Sequence, residues 1–179
     1  MNWYDLFGFD LQYISIWEAL FRLVMAMVAG AIIGVDREFK NKPVGLRGFV
    51  IVTLGTAGYA LASMEMAASY IGTDDSAVDP SRHIQGILGA FGFLGAGAII
   101  QARGSLAGIA TGAAIFNAGA AGTAIGFGII WLGMAISLLS LVTLMGVEKM
   151  QRDTPELSER PQAPDVFNPD RDRDKGDDS

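Results

Sequence analysis

Long apolar runs separated by short charged connections organise this chain. Five runs, at about 17–35, 46–64, 84–100, 106–124 and 127–146, each approach the length an α-helix needs to cross a bilayer. The pattern predicts an all-α membrane protein, a bundle of about five transmembrane helices over residues 17–147. The third and fourth runs are less apolar and rich in Gly and Ala, which suits helices packed between other helices. Ahead of the first run, Trp3, Tyr4, Phe7, Phe9, Tyr13 and Trp17 predict an aromatic interfacial segment over 1–16. Those sixteen residues hold no Lys or Arg, so they lack the basic start of a cleaved signal peptide and are expected to be retained. After the last run, Pro155, Pro161, Pro164 and Pro169 in a charged stretch with few large apolar residues predict a disordered tail over 148–179.

The third run carries glycines at 86, 89, 92 and 95, followed by Gly97. In a water-exposed helix each would cost roughly 1 kcal/mol. In a bilayer small residues instead let helix backbones approach closely, so Gly89, Gly92, Gly95 and Gly97 are expected to pack against a neighbouring helix. The four-spaced sets Ala26, Gly30, Gly34 and Ala114, Ala118, Gly122, Gly126 are expected to form close-packing or homo-oligomer faces. At the mouth of this run stands Asp79-Pro80-Ser81-Arg82, with Pro80 suited to a first helical turn and Asp79 to its cap. The pentapeptide Ala29-Gly-Ala-Ile-Ile33 near the end of the first run recurs as Ala96-Gly-Ala-Ile-Ile100 at the end of the third. The recurrence predicts a parallel two-helix repeat, spans 1–2 and 3–4, related by an axis along the membrane normal.

Charge adds an orientation. Arg37, Lys40, Lys42, Arg47, Arg103, Lys149 and Arg152 lie on one side of the predicted membrane, and Arg82 on the other. The bias of Lys and Arg toward the cytoplasm predicts an external N-terminus and a cytoplasmic tail, as five spans require. The net charge of −6 arises largely in residues 151–179, so it does not argue for a charged partner of the bundle, and no nucleic-acid binding is expected. The 51% hydrophobic content and mean hydropathy of +0.36 agree with a membrane domain. The chain has no cysteine and therefore no thiolate chemistry.

Ionisable residues near a bilayer are functional candidates because burying them is expensive. Asp36, Arg37 and Glu38 end the first run and Arg47 begins the second, so two antiparallel helix ends are expected to bring them together as a lock, or as a site for a cation or a partner. An Asp36–Arg47 ion pair is the expected contact. Arg82 is expected to meet Asp79, Glu65 or Glu18, whereas Glu18 and Arg22, four apart, are expected to pair and reach outward. Asn117, in mid-span, is expected to join two helices or to line a polar cavity. Asp74, Asp75 and Asp79 form no defined cage, and neither a metal site nor a cofactor is assigned. The single His83 lacks a nucleophile or metal partner set. The glycine run lacks the Lys-Ser/Thr of a phosphate loop, and no catalytic residues are assigned.

Gly34-Val-Asp-Arg-Glu38, Lys42-Pro-Val-Gly-Leu-Arg47, Asp79-Pro-Ser-Arg82 and Gly92-Phe-Leu-Gly-Ala-Gly97 together resemble the MgtC/SapB family of bacterial membrane proteins, in order and spacing, from residue 17 to about 125. A fifth element, Gly108-Ile-Ala-Thr-Gly-Ala-Ala-Ile-Phe116, departs from the family pattern at Ala110 and Phe116. The resemblance implies an inner-membrane protein linked to magnesium homeostasis, virulence, acid resistance and stress inside host cells. It also implies regulation of another membrane protein such as the proton-translocating ATP synthase. Better-known members carry a soluble domain after the last span, in place of this short tail. Two functions stay open: a non-enzymatic membrane regulator, and a transporter or channel for an ion or small solute.

Overall fold

The computed structural model describes residues 13–153 apart from 41, 43, 70–79 and 102–105. Within them run five α-helices, α1 (Ile16–Phe39), α2 (Leu46–Ser69), α3 (Pro80–Gln101), α4 (Leu106–Gly126) and α5 (Ile130–Asp153). The first four are long and apolar enough to cross a membrane, and α5 contains a shorter apolar stretch, Ile130–Gly146. Helices are the natural outcome, because each satisfies its own backbone hydrogen bonds where no water is available. The chain divides into two compact units, Met1–Met145 with the bundle and Gly146–Ser179, whose described part is the end of α5.

Local signals set the helix ends. Pro80 opens α3 as its first residue, where its missing N–H costs nothing. Gly128, at φ 89°, ends α4: its N–H donates to the Ile125 carbonyl, and that of Ile129 donates to Ala124, both at 2.9 Å. This is the left-handed glycine cap that returns the chain at once into α5. The helix then runs to Asp153, six residues into the segment expected to be a disordered tail. Val147-Glu-Lys-Met-Gln-Arg152 contains good helix formers, and Pro155 disfavours helix only from the residue before it. The aromatic lead-in at 1–12 and the tail beyond Asp153 lie outside the described residues.

Small residues build the interior. α4 is the most buried span, with α1, α2 and α3 packed around it. One apolar cluster joins Ile33, Phe49, Phe91, Ala114, Ile115 and Ala118, and a second joins Ala26, Ala29, Ala57 and Ile125. A Cβ on Gly30 would stand 2.7 Å from the Phe49 carbonyl oxygen, and one on Gly126 2.6 Å from that of Ala57. A Cβ on Gly133 of α5 would likewise stand 2.6 Å from the Ala121 carbonyl oxygen of α4. The backbones thus touch at positions where any side chain would separate them.

The glycines of α3 correct the expectation drawn from their spacing. Among the described residues only Gly95 meets a neighbour, Gly112 of α4, while a Cβ on Gly89, Gly92 or Gly97 would meet none of them within 4 Å. A spacing of three falls short of a helical turn by about 60°, so glycines at 86, 89, 92 and 95 wind around α3 instead of lining one face. The inward line is Ile87, Phe91, Gly95 and Ala98, with the Phe91 ring seated over Gly119. The repeated pentapeptides also pack differently: Gly30 is pressed against α2, whereas its counterpart Gly97 is open.

Candidate functional site

Arg37 lies in the last turn of α1 and is only 4% exposed. One turn earlier, Gly34 lets α1 close onto the start of α2, where a Cβ would lie 2.7 Å from the Leu46 Cα. The approach brings Arg37 beneath Phe49, its guanidinium carbon 5.8 Å from the ring centroid, within cation–π range. Nε donates to the Val44 carbonyl at 3.3 Å, and Nη2 donates to Thr111 Oγ1 on α4 at 2.5 Å. One arginine thus ties together the end of α1, the α1–α2 connection and the first turns of α4.

Its neighbours act locally. Glu38 Oε2 accepts the Leu46 N–H at 2.9 Å, so a carboxylate from α1 caps the positive end of α2. Asp36 pairs with Lys40 at 2.7 Å along its own helix, and Arg47 is exposed. The expected Asp36–Arg47 contact is therefore replaced. Four residues on, Lys40 stands above Asp36 on the same helix face, while Arg47 projects from α2 away from the bundle. Arg37 turns inward, and the partner it takes is Thr111, a hydroxyl that sequence reasoning did not single out. A lone threonine among the Gly and Ala of Gly108–Ala114, one turn into a span, was the available signal.

A second arginine repeats the arrangement at the other end. Arg22, its side chain 11% exposed, pairs with Glu18 as expected, but it turns inward. Nη1 donates to the Gly126 carbonyl of α4 at 2.9 Å and lies 3.8 Å from Met64 Sδ. The last carbonyls of a helix have no intrahelical partner and carry partial negative charge, which draws the guanidinium in. Arg22 and Arg37 are 15 residues apart on α1, as are Thr111 and Gly126 on α4. At 1.5 Å per residue the two intervals match at about 22 Å. α1 therefore grips the antiparallel α4 near both ends.

Asn117, midway along α4, donates from Nδ2 to Ser140 Oγ at 3.0 Å and so joins α4 to α5. Arg82 is exposed at the start of α3, Asp79 lies outside the described residues, and two expected partners of Arg82 are engaged elsewhere. Glu18 holds Arg22, and Glu65 accepts the Tyr13 N–H at 3.2 Å. Among the described residues no three His, Asp or Glu side chains form a group able to hold a metal ion. Asp74 and Asp75 lie outside them.

The sequence profile of the MgtC family matches residues 23–153, which include Arg37, Thr111 and Asn117. Protein SrpB of Synechococcus elongatus is 34% identical over 140 residues, 74% of this chain and 76% of that protein. The "Putative magnesium transporter YhiD" of Escherichia coli is 33% identical over 127 residues, 71% of this chain and 59% of its own length. Protein MgtC of Salmonella typhimurium is 29% identical over 122 residues, 68% of this chain and 49% of that protein. The chain thus spans roughly half to three fifths of the last two relatives. No solved structure matches it. Apolar helices of spanning length and a profile match over most of the chain agree: this multi-pass membrane protein belongs to the MgtC family.

Proposed function

We propose that the chain is a non-enzymatic regulator in the bacterial inner membrane, with its N-terminus outside and its tail in the cytoplasm. It acts in magnesium homeostasis and in acid or intracellular stress by contact with another membrane protein. The grip of Arg22 and Arg37 on α4 carries this reading. One buried and one part-buried guanidinium, with a series of backbone-to-backbone glycine contacts, hold the central helix in place. A bundle so fastened suits a scaffold that presents a fixed surface better than a path that must open. Seven bases on the Arg37 side against one on the other support the orientation. The magnesium link rests on family resemblance and on the name of the Escherichia coli relative.

That name also favours a second reading, transport of an ion. Buried hydroxyls of Thr53, Thr56 and Ser63 follow one another along α2, and Ser63 Oγ has no hydrogen-bond partner among the described residues. One paired experiment separates the two readings. Purified protein in liposomes loaded with a magnesium-sensitive dye is compared with crosslinked pull-down from membranes of cells starved of magnesium. The regulator reading expects no flux above protein-free liposomes and a membrane partner that is lost on Arg37→Gln. Magnesium flux that Thr56→Val or Ser63→Ala abolishes would overturn it.

A further inference from the structure

The charges at the Arg37 end are not all spent on holding the bundle. Arg37 is buried, Asp36 and Lys40 are paired, and Glu38 caps α2. Both acids at the end of α1 therefore face protein groups, while Arg47 is exposed in the first turn of α2. At the same end Phe39, the last residue of α1, is 83% exposed, as suits a ring lying at headgroup depth.

Below Arg47 the exposed side of α2 continues through Ile51, Gly55 and Tyr59, turning about 40° around the helix at each step. Ile51 and Tyr59 are 68% and 69% exposed, and a Cβ on Gly55 or Gly58 would meet nothing within 4 Å. The face thus has a cation at its rim, two bulky apolar side chains, and between them a notch with no side chain. From Arg47 to Tyr59 it extends about 18 Å along the helix, comparable to one leaflet of the hydrocarbon core.

We propose that this face of α2 binds one anionic phospholipid. Arg47 holds the headgroup phosphate, and an acyl chain lies over Ile51 into the notch at Gly55 and Gly58. Charge complementarity selects the occupant: a guanidinium matches phosphate oxygens with two parallel N–H donors, and the two nearby carboxylates, already engaged, do not compete. A lipid with a net negative headgroup gains from the local excess of bases, whereas a zwitterionic one brings its own ammonium to the same site. The contact would join the fixed bundle to the charge state of the surrounding leaflet.

The test is lipid retention by the whole chain, purified from equimolar phosphatidylglycerol and phosphatidylcholine and read by native mass spectrometry. One arginine beside an anionic headgroup corresponds to about a fivefold preference. Wild type is expected to retain phosphatidylglycerol by about that factor. Arg47→Gln should abolish the preference, Arg47→Lys should reduce it, and Arg82→Gln, at the other end, should leave it intact. Gly55→Leu, which the open space admits, should lower retention of phosphatidylglycerol by filling the notch. Melting curves verify that each variant is folded. Equal retention of the two lipids by wild type, or an unchanged preference in Arg47→Gln, would overturn the proposal. Unchanged retention in Gly55→Leu would overturn the acyl-chain part of it.

Discussion

Replacing Thr111 by Val tests whether Arg37 is the fastening of this bundle. The substitution keeps the volume and removes the hydroxyl that accepts from Nη2 at 2.5 Å. Arg37 is 4% exposed, so water cannot readily replace the lost acceptor. A hydrogen bond to a charged group contributes about 1.5–3 kcal/mol. Interhelical hydrogen bonds between neutral groups in membranes average only about 0.6 kcal/mol. The buried guanidinium places Thr111→Val nearer the first range, whereas Thr111→Ser retains the acceptor and should cost less. Asp36→Asn removes a pair four apart on one helix, which contributes about 0.3–0.5 kcal/mol. Reversible unfolding in mixed micelles with increasing dodecyl sulfate measures all three. A double-mutant cycle with Arg37→Met should show the two losses to be less than additive by at least about 1 kcal/mol. If Thr111→Val stays within about 0.5 kcal/mol of wild type, or costs less than Asp36→Asn, the latch does not exist.

The glycines divide by contact. Gly122→Leu drives a side chain into the backbone of α2, where even a Cβ would lie 2.8 Å from the Thr53 Cα, and should cost at least about 1–3 kcal/mol in the same assay. Gly92→Leu meets only open space and should leave the isolated chain as stable as before; equal losses for both would refute the placement of α3. For topology, impermeant thiol reagent added to intact cells should label Ser15→Cys and spare Lys42→Cys. The native chain contributes no cysteine of its own, and the reverse pattern would invert the proposed orientation.

Much of the fold was legible in the order of residues, and the reason is the solvent. A bilayer accepts only segments of about twenty apolar residues that satisfy their own backbone, so the hydropathy pattern alone locates the helices. Local chemistry also reads directly: Pro80 begins α3, and Glu18 meets Arg22 one turn away. How each helix is turned about its own axis is a different matter. In water an apolar stripe marks the buried side, but these spans are apolar on every side, so the pattern does not say which glycine faces a neighbour. Gly95 rather than Gly92 packs because α4 lies on that side, a fact of the assembled bundle.

The same holds for the charged cluster. The sequence by itself placed Asp36, Arg37, Glu38 and Arg47 at one membrane boundary, since a hairpin of two spans must bring its ends together. It did not determine their partners, because four ionisable side chains within a dozen residues have several local solutions of similar energy. Close contact at Gly34 decided among them by carrying Arg37 under Phe49, and α4 then supplied Thr111 from 74 positions along the chain. Asp36 was left to Lys40, and Arg47 was left exposed. Spans and charged ends follow from the local demands of the bilayer; the choice of partners follows from how closely glycine and alanine let the helices meet.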